Sequence, residues 1–167
     1  MSKKYYLAYG SNLSMRQMSY RCPDAVYVGT AVIPDYQLLF KGSLTGSYLT
    51  IEKKKGSEVP VLVWQISEED EYRLDRYEGC PTFYYKKEMK ILVKSLLTDE
   101  EKEVDAIVYV MHENHKKGCP SHDYYEVCLE GYHRFGFDET ILRQALIDST
   151  GKRQAEKMFR EVQQYEK

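Results

Sequence analysis

The stretch that decides the fold of this chain is Leu7-Ala8-Tyr9-Gly10-Ser11-Asn12-Leu13-Ser14. Residues 4–9 are mostly aromatic and apolar, as is typical of a β-strand, and Gly10 interrupts them. Ser11 and Asn12 favour turns and helix caps, and Ser14 can cap a short helix over residues 14–20. We therefore expect a strand, a glycine turn and a helix in succession.

A turn of this kind leaves several backbone N–H groups unpaired at one place. Such a cluster binds an anion, either a phosphate or a carboxylate. An ordinary capped turn between a strand and a helix accounts for the spacing equally well. Gly10 does not begin a dinucleotide or P-loop motif, because no second glycine and no Lys-Ser/Thr pair follows it. Ser11 lacks the Gly-x-Ser-x-Gly setting of a hydrolase nucleophile.

The composition is that of one globular domain spanning residues 1–167, with 43% hydrophobic and 30% charged residues. The 24 basic and 26 acidic residues nearly cancel, so nothing favours a nucleic-acid or membrane partner. No apolar run is long enough to span a bilayer and no signal-peptide segment follows Met1, so we expect a cytoplasmic protein. The 16 tyrosines, against 5 phenylalanines, suit a barrel or cleft with polar groups at its rim.

The cysteine and histidine patterns predict no metal site and no disulfide framework. The four cysteines lack Cys-x-x-Cys spacing, and we interpret them as free thiols or small core residues: Cys22, Cys80, Cys119 and Cys128. Cys80 could also be a redox-sensitive thiol, although packing is its simpler role. His112-x-x-His115 has metal-ligand spacing but no evident third ligand, so both are interpreted as surface residues.

Runs of β-branched and aromatic residues predict strands separated by turn signals. They cover residues 25–33, 36–40, 47–52, 59–66, 83–94 and 103–111. Residues 53–58, Lys-Lys-Lys-Gly-Ser-Glu, predict a charged hairpin loop. These spacings indicate hairpins in a largely antiparallel sheet or barrel, and the intervening helices make the class α+β.

Helices are predicted from their capping residues. Ser67 caps a helix that has acidic residues in its first turn and ends at Gly79. Ser121 caps a second helix to about Arg134, and Asp138 caps a third. A fourth, amphipathic and peripheral, is predicted over residues 152–167.

Glu78 lies at the C-terminal end of the first of these helices, where the dipole disfavours a negative charge. Gly79-Cys80-Pro81 and then Phe83-Tyr84-Tyr85 follow it. A carboxyl group walled by aromatic rings would have its pKa raised by desolvation and by the helix terminus together. A raised pKa suits a general base near neutral pH. The alternative is an ordinary surface glutamate in a chain with 26 acidic residues.

Several motifs occur together, in order, over about residues 5–145. They are Tyr9-Gly10-Ser11-Asn12-Leu13, Val63-Trp64-Gln65-Ile66, Leu74-Asp75-Arg76-Tyr77-Glu78-Gly79-Cys80-Pro81 with Tyr84 behind it, Pro120-Ser121 with Tyr124, and Gly131 with Phe135-Gly136-Phe137. In this order and spacing the chain resembles the gamma-glutamylcyclotransferase-like family, which includes AIG2-like and gamma-glutamylamine cyclotransferase-like proteins.

The resemblance implies a small mixed, largely antiparallel β-barrel flanked by helices. It also implies a reaction of the lyase or acyltransferase type, in which the α-amino group of a γ-glutamyl compound attacks its own γ-carbonyl. The amine is released and 5-oxoproline is formed, without a metal or an organic cofactor. The implied partner is a small γ-glutamyl amine or γ-glutamyl amino acid, handled by a monomer or a homodimer. A non-catalytic protein that binds such a molecule in the same cavity is the alternative.

The resemblance also implies roles for particular residues. Glu78 corresponds to the general acid/base. The substrate-binding residues it implies are Tyr9, Gly10, Ser11, Asn12, Leu13, Ser14, Tyr124 and one of Tyr84 or Tyr85. The choice between the last two depends on strand register.

Overall fold

The strands of this protein pair into one closed sheet. The computed structural model describes residues 3–43 and 45–165, and these residues form five long or medium strands and one short one. The five are β1 (Lys4–Ala8), β2 (Val26–Ser43), β3 (Gly46–Ile66), β4 (Tyr84–Ser95) and β5 (Glu101–Met111). The short strand β6 (Lys116–Lys117), which the sequence did not predict, pairs with Lys41 and Gly42 of β2.

The strand order makes the sheet a barrel. Neighbours follow the order β3-β1-β5-β4-β2, and a further pairing of β2 with β3 closes the ring. β1 runs parallel to β5, and the other pairs are antiparallel. Closure pairs the backbone groups that an open sheet would leave at its edges. The prediction of a small mixed, largely antiparallel barrel of the α+β class is confirmed.

In the described part of the chain, five α-helices flank the barrel, with the bounds α1 (Met15–Arg21), α2 (Glu68–Tyr77), α3 (His122–Phe135), α4 (Glu139–Thr150) and α5 (Lys152–Tyr165). The predicted caps are confirmed because each side chain accepts a hydrogen bond from a first-turn N–H: Ser14, Ser67, Ser121 and Asp138. The last two residues of the predicted C-terminal helix, 166 and 167, lie outside the described residues.

The predicted hairpin loop at residues 53–58 is wrong. β2 and β3 form one long hairpin, and this segment lies within β3. The pairing steps from Tyr36–Lys53 to Pro34–Glu58, so four residues of β3, 54–57, lie opposite the single residue Asp35 and form a bulge. The Asp35 carboxylate accepts a hydrogen bond of 3.0 Å from the Gly56 N–H. The proline and the lysine run therefore mark a bulge, after which the ladder resumes, because a bulge interrupts pairing without ending the strand.

The helices pack on the barrel and extend one continuous core. α4 lies along β2, α5 packs on α4, and α3 packs against the turn that follows β1. The core runs from barrel residues such as Val63 and Val108 to helix residues such as Leu146 and Phe159. None of the helices in the described ranges has the length and apolarity needed to cross a membrane.

The cysteines and histidines take local packing roles. All four cysteines are free thiols, and Cys22 and Cys128 are buried. His112 and His115 are half-buried: the His112 Nε2 lies 2.7 Å from the Pro81 carbonyl oxygen, and the His115 ring packs edge-on against Phe83. Within residues 3–43 and 45–165, no three His, Cys, Asp or Glu residues are grouped so that they could hold a metal ion.

Candidate active site

The segment around Gly10 has the predicted succession of strand, turn and helix. β1 ends at Ala8, a 3₁₀ turn covers Ser11–Leu13, and α1 follows. The Leu13 N–H donates to the Gly10 carbonyl oxygen at 3.0 Å, and Ser14 caps α1 by accepting from the Gln17 N–H. The N–H groups of Ser11 and Asn12 come before Leu13 in the chain, at the start of the turn. No described residue accepts a hydrogen bond from them.

Asn12 holds the turn in place. Its buried side chain donates from Nδ2 to the Tyr6 hydroxyl at 2.9 Å and accepts at Oδ1 from Arg21 at 2.5 Å. Its carbonyl oxygen accepts from the indole N–H of Trp64 at 3.0 Å. The side chain therefore has structural partners on both polar atoms, and the turn offers a ligand its backbone and Ser11 rather than the Asn12 amide.

Gly10 leaves room for a hydroxyl group across the turn. A Cβ atom at this position would lie 3.1 Å from the Tyr124 hydroxyl oxygen and 3.6 Å from the Leu49 side chain. Contacts as close as 3.1 Å require the neighbour to move. Glycine therefore lets Tyr124 of α3 approach the backbone of the turn.

Glu78 follows α2 and is held by backbone hydrogen bonds. Its N–H donates to the Leu74 carbonyl oxygen at 2.8 Å. Gly79 then turns the chain with φ +63°, a left-handed conformation that glycine adopts at no steric cost. The Cys80 N–H donates back to the Asp75 carbonyl oxygen at 2.8 Å, which completes the helix end. Because the helix is closed in this way, the half-buried Glu78 is held at a defined position.

The turn and Glu78 share one cavity of about 390 Å³. This volume falls within the range of roughly 300–1,000 Å³ that is usual for small-molecule sites. Among the described residues its wall contains two charged side chains, Arg76 and Glu78. It also contains seven of the 16 tyrosines of the chain: Tyr6, Tyr9, Tyr48, Tyr77, Tyr84, Tyr109 and Tyr124. The cavity is therefore an aromatic-walled cleft with hydroxyl groups and one carboxyl group.

Burial controls the protonation of Glu78. It raises the pKa of this carboxyl to about 7, and the positive charge of Arg21 opposes the shift. Burial is the main cause that raises the pKa of four tyrosines, and the Glu78 charge adds to it: Tyr6, Tyr9, Tyr84 and Tyr124. These hydroxyls therefore lie within electrostatic range of the carboxyl and stay protonated at neutral pH.

The hydroxyl groups in the cavity have defined directions. The Tyr9 hydroxyl donates to the Tyr109 carbonyl oxygen at 2.5 Å, and the Tyr84 hydroxyl donates to the Leu49 carbonyl oxygen at 2.8 Å. The Tyr124 hydroxyl oxygen accepts from the Leu49 N–H at 3.0 Å. A hydroxyl carries one proton. Tyr9 and Tyr84 therefore offer acceptor oxygens to a ligand, whereas Tyr124 can offer a donor.

Three of the residues predicted to bind substrate lie outside the cavity wall. Leu13 is fully buried and packs against Gly131 of α3, and Ser14 is committed to capping α1. Tyr85 faces the outside of β4, where its hydroxyl donates to Glu113 at 2.5 Å. Successive strand residues face opposite sides, so the register that turns Tyr84 inward turns Tyr85 outward. These three residues therefore do not line this cavity.

The remaining predicted residues meet in the wall, together with others that sequence reasoning missed. Tyr9, Gly10, Ser11, Asn12, Glu78, Tyr84 and Tyr124 all line the cavity. Among the missed residues are Tyr6, Tyr48, Tyr77, Tyr109 and Arg76. For the four tyrosines, the excess of tyrosine was the one signal in the sequence, and it carried no positions.

Comparison with known proteins identifies the family. Residues 6–149 match the sequence profile of a family described as gamma-glutamyl cyclotransferase, AIG2-like. The chain belongs to this family. The matched range contains the first turn, Glu78 and Tyr124, so the whole cavity lies inside the gamma-glutamyl cyclotransferase, AIG2-like region.

Individual relatives agree with this family. The chain is similar to the gamma-glutamylcyclotransferase of Homo sapiens, with 30% identity over 158 residues that cover 88% of this chain and 81% of the relative. It is 34% identical to that of Bos taurus over 133 residues, which cover 75% and 68%. A solved structure of a gamma-glutamyl cyclotransferase matches with a TM-score of 0.75 at 26% identity, covering 96% of this chain and 99% of the other. The barrel is therefore the fold of this cyclotransferase family.

Proposed function

We propose that this protein cyclises a γ-glutamyl amine or a γ-glutamyl amino acid to 5-oxoproline and releases the amine, with Glu78 as general acid/base. The observation that carries the proposal is that the Glu78 carboxyl, whose pKa burial raises to about 7, and the free N–H groups of Ser11 and Asn12 line one cavity. The family and its named relatives support the reaction class.

The proposed substrate orientation follows from charge and hydrogen-bonding capacity. Its α-ammonium group carries only donors and fits the Glu78 carboxylate together with the acceptor oxygens of Tyr9 and Tyr84. Its γ-carbonyl oxygen gains negative charge during attack and fits the N–H groups of the turn and the Tyr124 hydroxyl. Amine and carbonyl are then held close together within one molecule, which favours ring closure.

Glu78 moves the protons in this scheme. It takes a proton from the ammonium, the freed amine attacks the γ-carbon, and a C–N bond forms. Glu78 then gives the proton to the departing nitrogen as the amide C–N bond breaks. A second proton follows from the ring nitrogen to the released amine, since an ammonium has become a lactam N–H and an amide N–H has become an ammonium. Glu78 ends the cycle as a carboxylate.

The raised pKa makes the first proton transfer easier. An α-amino group with a pKa of about 8 lies roughly 3.5 units above an ordinary glutamate, which corresponds to about 5 kcal/mol. With Glu78 at about 7, the gap is about one unit, or about 1.4 kcal/mol. Burial of the carboxyl therefore lowers the free energy of this transfer by about 3 kcal/mol.

The test is to incubate the purified protein with a panel of γ-glutamyl amino acids and γ-glutamyl amines and to measure 5-oxoproline by mass spectrometry. We expect product from the parent protein and roughly 1,000-fold less from Glu78→Gln, because general acid–base groups contribute about 100- to 10,000-fold. Glu68→Gln is the matched control, since Glu68 is exposed on the same helix. Equal rates for Glu78→Gln and the parent contradict the assigned role. Stabilisation by 5-oxoproline with no turnover of any compound favours the binding protein instead.

A further inference from the structure

Arg21, the last residue of α1, connects two separate parts of the cavity wall. Its Nη1 donates to the Ser11 hydroxyl at 3.2 Å and to the Asn12 Oδ1 at 2.5 Å. The same guanidinium lies over the ring of Tyr77, 3.7 Å from the ring centre. Tyr77 ends α2 and directly precedes Glu78. One half-buried side chain therefore contacts both the turn and the helix end that carries the carboxyl.

The shape of the guanidinium suits this double contact. It is planar, donates hydrogen bonds in its plane and stacks through its face, so both contacts can be made at once. A lysine ammonium has the same charge but neither the fork nor the flat face. Arg21 does not line the cavity wall, so its contribution to a bound molecule is made through other residues.

We propose that Arg21 is the positioning residue of this site and holds the Ser11–Leu13 turn at a set distance from the end of α2 that carries Glu78. The inference rests on the proposed function, because that function requires the carbonyl held by the turn and the base on the helix to meet on one substrate. A shift of about 1 Å between binding and reacting groups can cost roughly 100-fold in rate.

The charge of Arg21 has a second effect, on Glu78. The Arg76 guanidinium lines the same cavity wall as Glu78. The other titratable groups on which the Glu78 charge acts are Tyr6 on β1, Tyr9 after it, Cys80, Tyr84 on β4 and Tyr124 on α3. Burial raises the pKa of each, so they are neutral near pH 7. Among the described residues Arg21 is the charge that lowers the pKa of Glu78 against burial. Its loss should therefore move the ionisation of Glu78 to higher pH.

Two substitutions separate the charge from the geometry. Arg21→Met removes both, and Arg21→Lys keeps the charge but loses the fork and the stacking face. Arg16→Met is the matched control, because Arg16 is exposed on the same helix. The readouts are kcat and KM against pH for a γ-glutamyl compound that the parent protein turns over, the thermal melting temperature, and a ¹³C NMR titration of the Glu78 carboxyl assigned with Glu78→Gln.

We expect Arg21→Met to lower kcat/KM by roughly 10- to 100-fold. It should also move the acid limb of the pH–rate profile, where activity rises with pH, and the NMR titration of Glu78 to higher pH. Arg21→Lys should lower kcat/KM to a similar extent but leave the acid limb where the parent has it. Arg16→Met should match the parent. A merely structural role predicts that both Arg21 variants melt at lower temperature while the acid limb of the pH–rate profile stays where the parent has it. That result overturns the proposal. So does parent-like kcat/KM in Arg21→Met.

Failure of the proposed function looks different. If the parent protein makes no 5-oxoproline, the cyclisation is wrong, whereas the NMR titration still decides whether Arg21 acts on Glu78. In that case an unchanged Glu78 titration in Arg21→Met overturns the inference about Arg21, and a shift to higher pH supports its coupling to Glu78.

Discussion

Replacing Glu78 by glutamine should make the protein more stable above pH 7 while changing its stability little near pH 4.5. The carboxyl titrates at about 7 in the folded protein and near its ordinary value of 4.5 when the chain is unfolded. The folded state therefore holds this proton more tightly. The stabilising contribution of the proton is fully present below pH 4.5 and is lost as the pH rises through about 7.

The size of the effect follows from the pKa difference. The two values, about 7 and 4.5, differ by about 2.5 units, and each unit corresponds to about 1.36 kcal/mol. The parent protein should thus lose about 3 kcal/mol of unfolding free energy through this group between pH 4.5 and pH 8. Glutamine has the shape of the protonated acid and does not titrate, so the variant should not show this loss.

Urea denaturation at several pH values measures the difference. The single tryptophan, Trp64, is buried and donates to the Asn12 carbonyl oxygen of the turn, so its fluorescence reports unfolding near the site. The free energy of unfolding of Glu78→Gln minus that of the parent should grow by about 3 kcal/mol from pH 4.5 to pH 8, with an unchanged denaturant slope. Glu68→Gln, on the same helix, should show a flat difference because Glu68 is exposed.

A flat difference for Glu78→Gln as well would refute the reasoning. It would mean that Glu78 ionises near its ordinary pKa in the folded protein. The argument that burial prepares this carboxyl to accept a proton near neutral pH would then fail.

Three further predictions concern the cavity. Glu78 must be ionised to accept a proton, so kcat/KM should rise about tenfold per pH unit below pH 6 and level off above about pH 7. A kcat/KM that does not change with pH over this range would contradict the assignment. Tyr84→Phe should lower kcat/KM by roughly 10-fold or more, while Tyr85→Phe should keep kcat/KM within about twofold of the parent. Equal losses in steady-state assays would show that the inward direction of Tyr84 does not determine its effect on activity. Gly10→Ala should raise KM several-fold, which corresponds to a loss of binding free energy on the order of 1 kcal/mol, because the added Cβ would press on the Tyr124 hydroxyl. An unchanged KM would argue against a close approach of Tyr124 to Gly10.

The sequence by itself determined the features that depend on near neighbours in the chain. The capping box at the start of α2 involves Ser67 and Asp70, three residues apart, and the stop at Gly79 needs only a left-handed conformation. The strand–turn–helix succession around Gly10 is local in the same way. These elements could be predicted because the interactions that form them lie within a few residues of one another.

Strand ends were less predictable than strand existence. The breakers Pro34 and Asp35 and the lysine run at residues 53–58 look like chain reversals when each is read alone. In the barrel they face each other in an antiparallel pair, and the extra residues of β3 bulge while the pairing continues on both sides. A bulge is a property of two strands together, so neither segment could reveal it.

The site itself was decided by tertiary structure. Tyr84 points inward because β4 pairs with β5 in one particular register, and Tyr84 and Tyr85 are equivalent until that register exists. Arg21 reaches Tyr77 because α1 packs against α2, which lies about 50 residues away along the chain. The sequence indicated that the turn and Glu78 belong to one site. Barrel closure and helix packing decided which side chains surround them, since those contacts join residues far apart in sequence.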